Sequence, residues 1–323
     1  MEYRHLGKAG LRVSALALGS WMTNLHGQEK QDLAAQSIKL AYEHGINFFD
    51  CADAYSGGEA EKFLGTVLKQ FPRKELVVSS KVYFPTGEGP NDRGLSRKHI
   101  MESIDQSLEN MQLDYLDLYF CHRFDKETPM EETLRALSDL VDQGKILYYG
   151  VSEGWTPVRL EKANTIIKEE HLHPMSVVQP QYNIFDRYIE NELMDVCGEL
   201  GMGIVPFSPL SQGLLTGKYR LGKPIPAGSR ATYQDQIQAM LTEDNLKKVD
   251  ALVAMADELN TDLATFSLAW ALRDPRISSL ITGASKPAQL ESNLKALDLK
   301  IPDEYYARVD KLFHFEKFHR QIG

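Results

Sequence analysis

A short apolar run followed by an amphipathic stretch recurs eight times between residues 15 and 297, and no other feature limits the fold as tightly. The apolar runs are 15–18, 46–49, 76–80, 116–120, 146–151, 176–178, 203–207 and 279–282. Helical periodicity fills 29–44, 59–69, 97–111, 130–143, 157–169 and 189–200, two helices across 244–272, and 287–297. In the first helix Leu33, Ser37, Leu40 and Ala41 are expected on the buried face, with Gly45 as the stop. Strands that alternate with helices predict an α/β protein with a parallel sheet. A doubly wound sheet that binds a dinucleotide would carry G-x-G-x-x-G after its first strand. The chain has no such motif: Gly87-Glu-Gly89-Pro has the wrong spacing and opens no helix. A G-x-x-x-x-G-K-[ST] loop is also missing. Eight unbroken units instead predict a closed (β/α)8 TIM barrel, one domain over 1–323.

Two segments stand outside the repeat. A hairpin, 3–7 and 11–14 about a turn at 8–10, precedes the first barrel strand and is expected to plug the barrel's bottom. The interval between the seventh and eighth strands is much longer than the others, so a long loop is expected after strand 7. Residues 84–94, with three Gly and two Pro, read as a loop; 303–315 reads as a helix, and 314–323 as a tail rich in aromatics and His.

Charge narrows the partners. A net charge of -9 argues against a nucleic-acid or anionic-membrane binder, so positive charge for an anionic ligand must be local. Cys51, Cys121 and Cys197 share no C-x-x-C spacing and read as free thiols in a reducing compartment. The start, Met1-Glu-Tyr-Arg-His5, has no apolar leader pattern, and no apolar run approaches the roughly 20 residues of a membrane helix. A cytoplasmic location is expected.

Barrel strands deliver their C-terminal residues to one mouth. Asp50 ends the second strand on the face of Phe48, Lys81 shares a face with Val77 and Ser79, and His122 shares one with Leu118 and Phe120. Tyr55 lies in the loop after Asp50. Asp50 aimed inward is costly without a cation, and Lys81 supplies one. An ammonium beside a phenol is expected to lower the pKa of Tyr55 below its usual value of about 10. Such a tyrosine can give a proton to a carbonyl oxygen and take it back, with His122 orienting that oxygen. No metal site is expected: His171 and His173 precede a strand, and the mouth offers no ligand spacing.

These residues, with Glu59–Gly65 and further motifs, resemble the aldo-keto reductase family over nearly the whole chain. The further motifs are Gly150-Val-Ser152, Gln179-Pro-Gln-Tyr182, Phe207-Ser-Pro-Leu-Ser-Gln-Gly213 and Gly283-Ala-Ser285 with Gln289 and Asn293. The resemblance is to the branch with potassium-channel β-subunits and related bacterial reductases. It implies a TIM barrel, Tyr55 as proton donor, support from Asp50, Lys81 and His122, and an extended nicotinamide cofactor without a glycine fingerprint. Carried over by position, Ser152 and Gln179 would hold the carboxamide, and Phe207 would stack on the nicotinamide. Gly19, Ser20, Trp21 and Asp50 would border that end. Ser208, Leu210 and Gly213 would line the pyrophosphate, and Ser285, Gln289 and Asn293 the adenosine. Ser285 before Lys286 implies NADP over NAD. Trp21, Tyr83, Phe84 and Phe124 would wall the substrate pocket.

Within 211–231 stand four cations, Lys218, Arg220, Lys223 and Arg230, and no acid, which suits a phosphorylated anion under a closing loop; Lys218 and Arg230 join the cofactor contacts. Glu153 and Ser292 depart from the family pattern, and His122 stands where channel β-subunits usually carry Asn. The expected function is reversible reduction of aldehydes or ketones with NADPH. The alternative is a cofactor-binding accessory subunit of channel-β type with slow reductase activity. The substrate is a small carbonyl compound, and a homo-oligomer is left open.

Overall fold

The structure is a computed structural model that describes residues 1–21 and 28–317; the last six residues of the expected tail lie outside the described residues. The hairpin pairs β1 (Tyr3–His5) with β2 (Arg12–Ser14) in antiparallel register, Tyr3 opposite Ser14. Eight further strands run parallel. They are β3 (Leu16–Gly19), β4 (Phe48–Asp50), β5 (Val77–Val82), β6 (Leu116–Arg123), β7 (Ile146–Glu153), β8 (Val177–Val178), β9 (Gly203–Ile204) and β10 (Leu280–Thr282). Their order is β10-β3-β4-β5-β6-β7-β8-β9. The ends meet: Ile204 bridges Ile277, and the amides of Ser278 and Ile281 donate to the carbonyls of Ile204 (2.8 Å) and Pro206 (2.9 Å). The expected barrel is therefore closed.

Strand periodicity divides the apolar residues into two layers. Inward residues Ala17, Phe48, Val77, Leu118, Phe120, Val177, Val205 and Ile281 fill the barrel, and the hairpin adds Leu6 and Val13 to the same cluster. The hairpin thus plugs the bottom, as expected. The alternate residues, among them Phe49, Val78, Tyr119, Val151 and Val178, pack outward against the helices. Gly7 makes the plug possible. Its φ is +58°, and a Cβ there would lie 2.3 Å from the carbonyl oxygen of Gly201, below β9.

Eleven helices are described: α1 (Gln28–Glu43), α2 (Glu59–Leu68), α3 (Arg97–Met111), α4 (Met130–Asp142), α5 (Pro157–Glu169), α6 (Leu193–Leu200), α7 (Asp235–Met240), α8 (Glu243–Glu258), α9 (Leu263–Leu272), α10 (Pro287–Leu294) and α11 (Asp303–Phe313). Ser96, Thr242 and Asp262 cap α3, α8 and α9 by accepting from backbone amides one turn on. The buried face of α1 is Ala34, Ser37, Ile38 and Ala41; Leu33 and Leu40 sit at its half-buried flank rather than within it. The expected helix 189–200 begins later, because 188–190 forms a 3-10 turn held by the Arg187–Glu190 ion pair (2.8 Å). The long interval contains α7, which has no apolar stripe long enough to announce it.

Candidate active site

The ends of β4, β5 and β6 bring Asp50, Lys81 and His122 to the mouth, and a tight turn after β4 returns Tyr55 to them. That turn is a 3-10 segment, Tyr55–Gly58, with Ser56 and Gly57 in the left-handed region (φ 51° and 63°). Lys81 is fully buried. Its Nζ donates to Asp50 Oδ2 (2.6 Å) and the Cys51 carbonyl (2.6 Å), and lies 3.4 Å from the Tyr55 hydroxyl. The other Asp50 oxygen accepts from Ser79 Oγ (2.7 Å) and Gln179 Nε2 (3.1 Å). Each ammonium proton and both carboxylate oxygens of this buried ion pair therefore have a partner, which offsets the cost of burying it. Ser79 was legible only as a neighbour of Lys81 on the inward face, and nothing in its spacing announced the bond to Asp50.

The electrostatics differ from expectation at one group. Burial opposes the charge on Lys81, yet Asp50 and then Tyr55 hold its pKa above the ordinary lysine value. Tyr55 does not fall below 10. Burial raises it most, Lys81 pulls the other way, and the charge of Asp50 opposes that pull. A cation already paired with a carboxylate is a weak acidifier. Tyr55 thus stands as a protonated phenol, the form that donates.

His122 lies against both Tyr55 and Phe84, with ring centroids 5.7 and 4.8 Å apart. Burial, then Lys81 and Arg123, pushes its pKa down to about 2, so the imidazole is neutral. A neutral ring donates one N–H and carries no competing charge. Its Nδ1 is buried and has no hydrogen-bond partner among the described residues.

The residues expected to meet a cofactor converge from other strands. Ser152 Oγ donates to the Gln179 carbonyl (2.6 Å), and Ser20 Oγ to that of Asp50 (2.7 Å), so both hydroxyls keep their acceptor capacity. Phe207 is half-buried at the top of the interior apolar layer. After it the backbone enters the left-handed region at Ser208, Ser211, Gln212 and Gly213 (φ 53°, 48°, 54° and 101°). These turns close on themselves: the amides of Ser211 and Gly213 donate to the carbonyls of Ser208 and Leu210 (2.9 Å each), so those N–H groups are spent within the loop. The φ of 101° at Gly213 disfavours any side chain, and a Cβ there would lie 2.9 Å from the movable end of Lys218. Leu214, Leu215, Tyr219 and Ala231 peg the loop to the outer core, and Arg230 returns to stack over Trp21, 5.0 Å from the ring centroid. Arg220 is not available to a ligand in the same way: it is paired with Asp250 of α8. Ser285 donates to Gln289 Oε1 from both N (2.8 Å) and Oγ (3.0 Å), and Asn293 Nδ2 is buried with no partner among the described residues. Lys218 and Arg230 of this loop, the hydroxyls of Ser20 and Ser152 and the unpartnered amide of Asn293 fit an extended, phosphorylated ligand.

The expected pocket wall divides. Phe84 stands edge-on to His122, and Tyr83 edge-on to Phe84 (5.4 Å). Phe124 packs instead on Trp155 (5.2 Å) beneath Arg159. Glu153 accepts from the amide of Gln181 (3.0 Å) and pairs with Arg123 (3.3 Å), a rim contact that the spacing did not announce. Among the described residues no three His, Cys, Asp or Glu gather as metal ligands, and no helix is long and apolar enough to cross a membrane.

The family model described as "Aldo/keto reductase family" matches residues 15–313. Two similar curated relatives are each named "Probable voltage-gated potassium channel subunit beta". The one from Oryza sativa subsp. japonica is 40% identical over 97% of this chain and 95% of its own length. The one from Arabidopsis thaliana is 40% identical over 93% and 92%.

Proposed function

The chain belongs to the aldo/keto reductase family, whose members oxidise and reduce carbonyl compounds, and on that footing we propose that it reduces aldehydes or ketones with NADPH, with Tyr55 as proton donor. The observation that carries this reading is the buried chain Asp50–Lys81–Tyr55 beside a neutral His122. A bound nicotinamide would supply the hydride. Ser152 and Gln179 would hold its carboxamide, Phe207 would face its ring, and the loop after β9 with Lys218 would take the phosphates. Lys286 beside Ser285 favours a 2′-phosphate, hence NADP.

His122 donates one N–H to the carbonyl oxygen and orients it toward the Tyr55 hydroxyl. As charge grows on that oxygen, Tyr55 passes its proton across. An alkoxide is a stronger base than a phenolate, so a tyrosine above its ordinary pKa still delivers the proton downhill. Lys81 then stabilises the phenolate at 3.4 Å, and Asp50 keeps Lys81 from leaving. The same groups run in reverse for alcohol oxidation. The three buried thiols fit a cytoplasmic setting.

Tyr55→Phe is expected to cut reduction of 4-nitrobenzaldehyde by about a hundredfold or more while NADPH still quenches tryptophan fluorescence. A variant as fast as the wild type would end this assignment. The names of the two plant relatives favour a second reading, an accessory subunit of a channel, which we take as one that binds the cofactor and turns over slowly. A panel of aldehydes assayed alongside sedimentation separates the two: slow turnover with tight NADPH binding and a stable oligomer would favour the subunit. His122, where Asn is usual in channel β-subunits, supports the enzyme.

A further inference from the structure

The rim beside His122 carries an ion pair that the proton chemistry does not use. Arg123 and Glu153 are paired in register at the C-terminal ends of β6 and β7, with Arg123 Nη1 3.3 Å from Glu153 Oε2. Glu153 is the anchored member, because its Oε1 accepts from the backbone amide of Gln181 (3.0 Å). Arg123 is the adaptable member. Its half-exposed guanidinium lies 5.8 Å from the centroid of Phe84, the ring that stands edge-on to His122. The cation is therefore one aromatic ring away from the group expected to hold the substrate's oxygen.

The neighbouring polar groups each have a partner, but of the cations Lys81 and Arg159 only Lys81 has its charge offset by a carboxylate. Lys81 is neutralised by Asp50, Arg159 donates to the Gly154 carbonyl over Phe124, and Asp186 accepts from Gln181 Nε2 (2.8 Å). Arg159 lies over Phe124, whereas Arg123 lies over Phe84, the ring against His122; Arg123 is therefore the rim cation beside the reacting oxygen that a substrate's anionic tail could recruit, and Glu153 already occupies it. A guanidinium shared with a fixed carboxylate offers a second anion little, and the carboxylate repels it.

We propose that Glu153 sets the charge selectivity of the substrate pocket: by holding Arg123 it makes the mouth favour neutral carbonyl compounds over those with a carboxylate at the far end. This inference rests on the carbonyl-reductase reading. Arg123 and Glu153 act on substrate choice, through the charge presented to the tail of the substrate, and take no part in proton transfer.

The test compares kcat/KM for 4-carboxybenzaldehyde and 4-nitrobenzaldehyde, with NADPH, in the full-length protein. Glu153→Gln keeps an oxygen for the Gln181 amide and removes only the charge. The ratio of carboxylate to nitro substrate is expected to rise about fivefold, the scale of one partly exposed ion pair. The double variant Glu153→Gln/Arg123→Gln is expected to lose that gain. Because each ratio is taken within one protein preparation, a change in folding alone would not move it. A wild type that reduces 4-nitrobenzaldehyde while the ratio stays flat, or a gain that persists without Arg123, would overturn the selectivity inference alone. A wild type that reduces neither aldehyde would overturn the reductase reading, and this inference with it.

Discussion

Asp50 and Asp53 stand three residues apart and are buried to a similar degree, yet they meet opposite surroundings. Asp50 has Lys81, Ser79 and Gln179 for partners. Asp53 has the amide of Ala54 on one oxygen (2.6 Å) and no partner among the described residues on the other. Burial, then the charge of Glu61, pushes the Asp53 pKa up to about 8. Because the native pKa lies above the unfolded value of about 3.9, the native state keeps a proton that the unfolded state releases. The stability present below pH 4 is therefore lost as pH rises toward 8. Asp53→Asn should remove this loss: relative to the wild type it should gain about 1 kcal/mol per pH unit across that window. Urea denaturation at pH 4.5, 6 and 7.5 reads the difference; parallel curves for the two proteins would contradict it. The sequence marked Asp50 because strand alternation aims it inward. Asp53 follows the strand, where alternation no longer applies, and its burial was not legible.

At the scale of elements, the strands are short and their helices long, so the repeat was easier to read than its boundaries. The apolar runs at 176–178 and 203–207 shrink to two-residue strands at β8 and β9, because the backbone there leaves the ladder to shape the mouth. The plug beneath them depends on one close approach. Gly7→Ala would force a Cβ into the Gly201 carbonyl and the Gly203 amide, 2.3 and 2.4 Å away, at a φ that disfavours any side chain. A loss of about 2–5 kcal/mol is expected from strain and overpacking together. Chemical denaturation with an unchanged m-value would register it as a midpoint shift. A midpoint equal to that of the wild type would mean the hairpin does not bear on the barrel's bottom.

For the whole molecule, the opposition between a net charge of -9 and the cations around the loop after β9 has a measurable consequence. The protein's field repels an anionic cofactor at long range, while Lys218, Lys223 and Arg230 attract it at the site. Salt screens both, but the short-range attraction dominates once the ligand is bound, so NADPH affinity should fall as ionic strength rises. Between 0.05 and 0.5 M salt the Kd is expected to rise roughly tenfold, and Lys218→Ala with Arg230→Ala should flatten that slope. Titration by fluorescence quenching checks it; an affinity indifferent to salt would remove these cations from the phosphate site.

The recurring βα unit carried the barrel and the convergence of Asp50, Lys81 and His122, and the turn at 8–10 carried the plug, because strand alternation, helical period and turn residues are local properties written into the sequence. What local pattern could not carry was who meets whom across strands. The bond from Gln179 to Asp50, the pairing of Arg123 with Glu153, the stacking of Arg230 on Trp21 and the upward shift of Tyr55 all depend on the closed sheet. Burial and the nearest counter-charge set each of these, and both are properties of the folded whole.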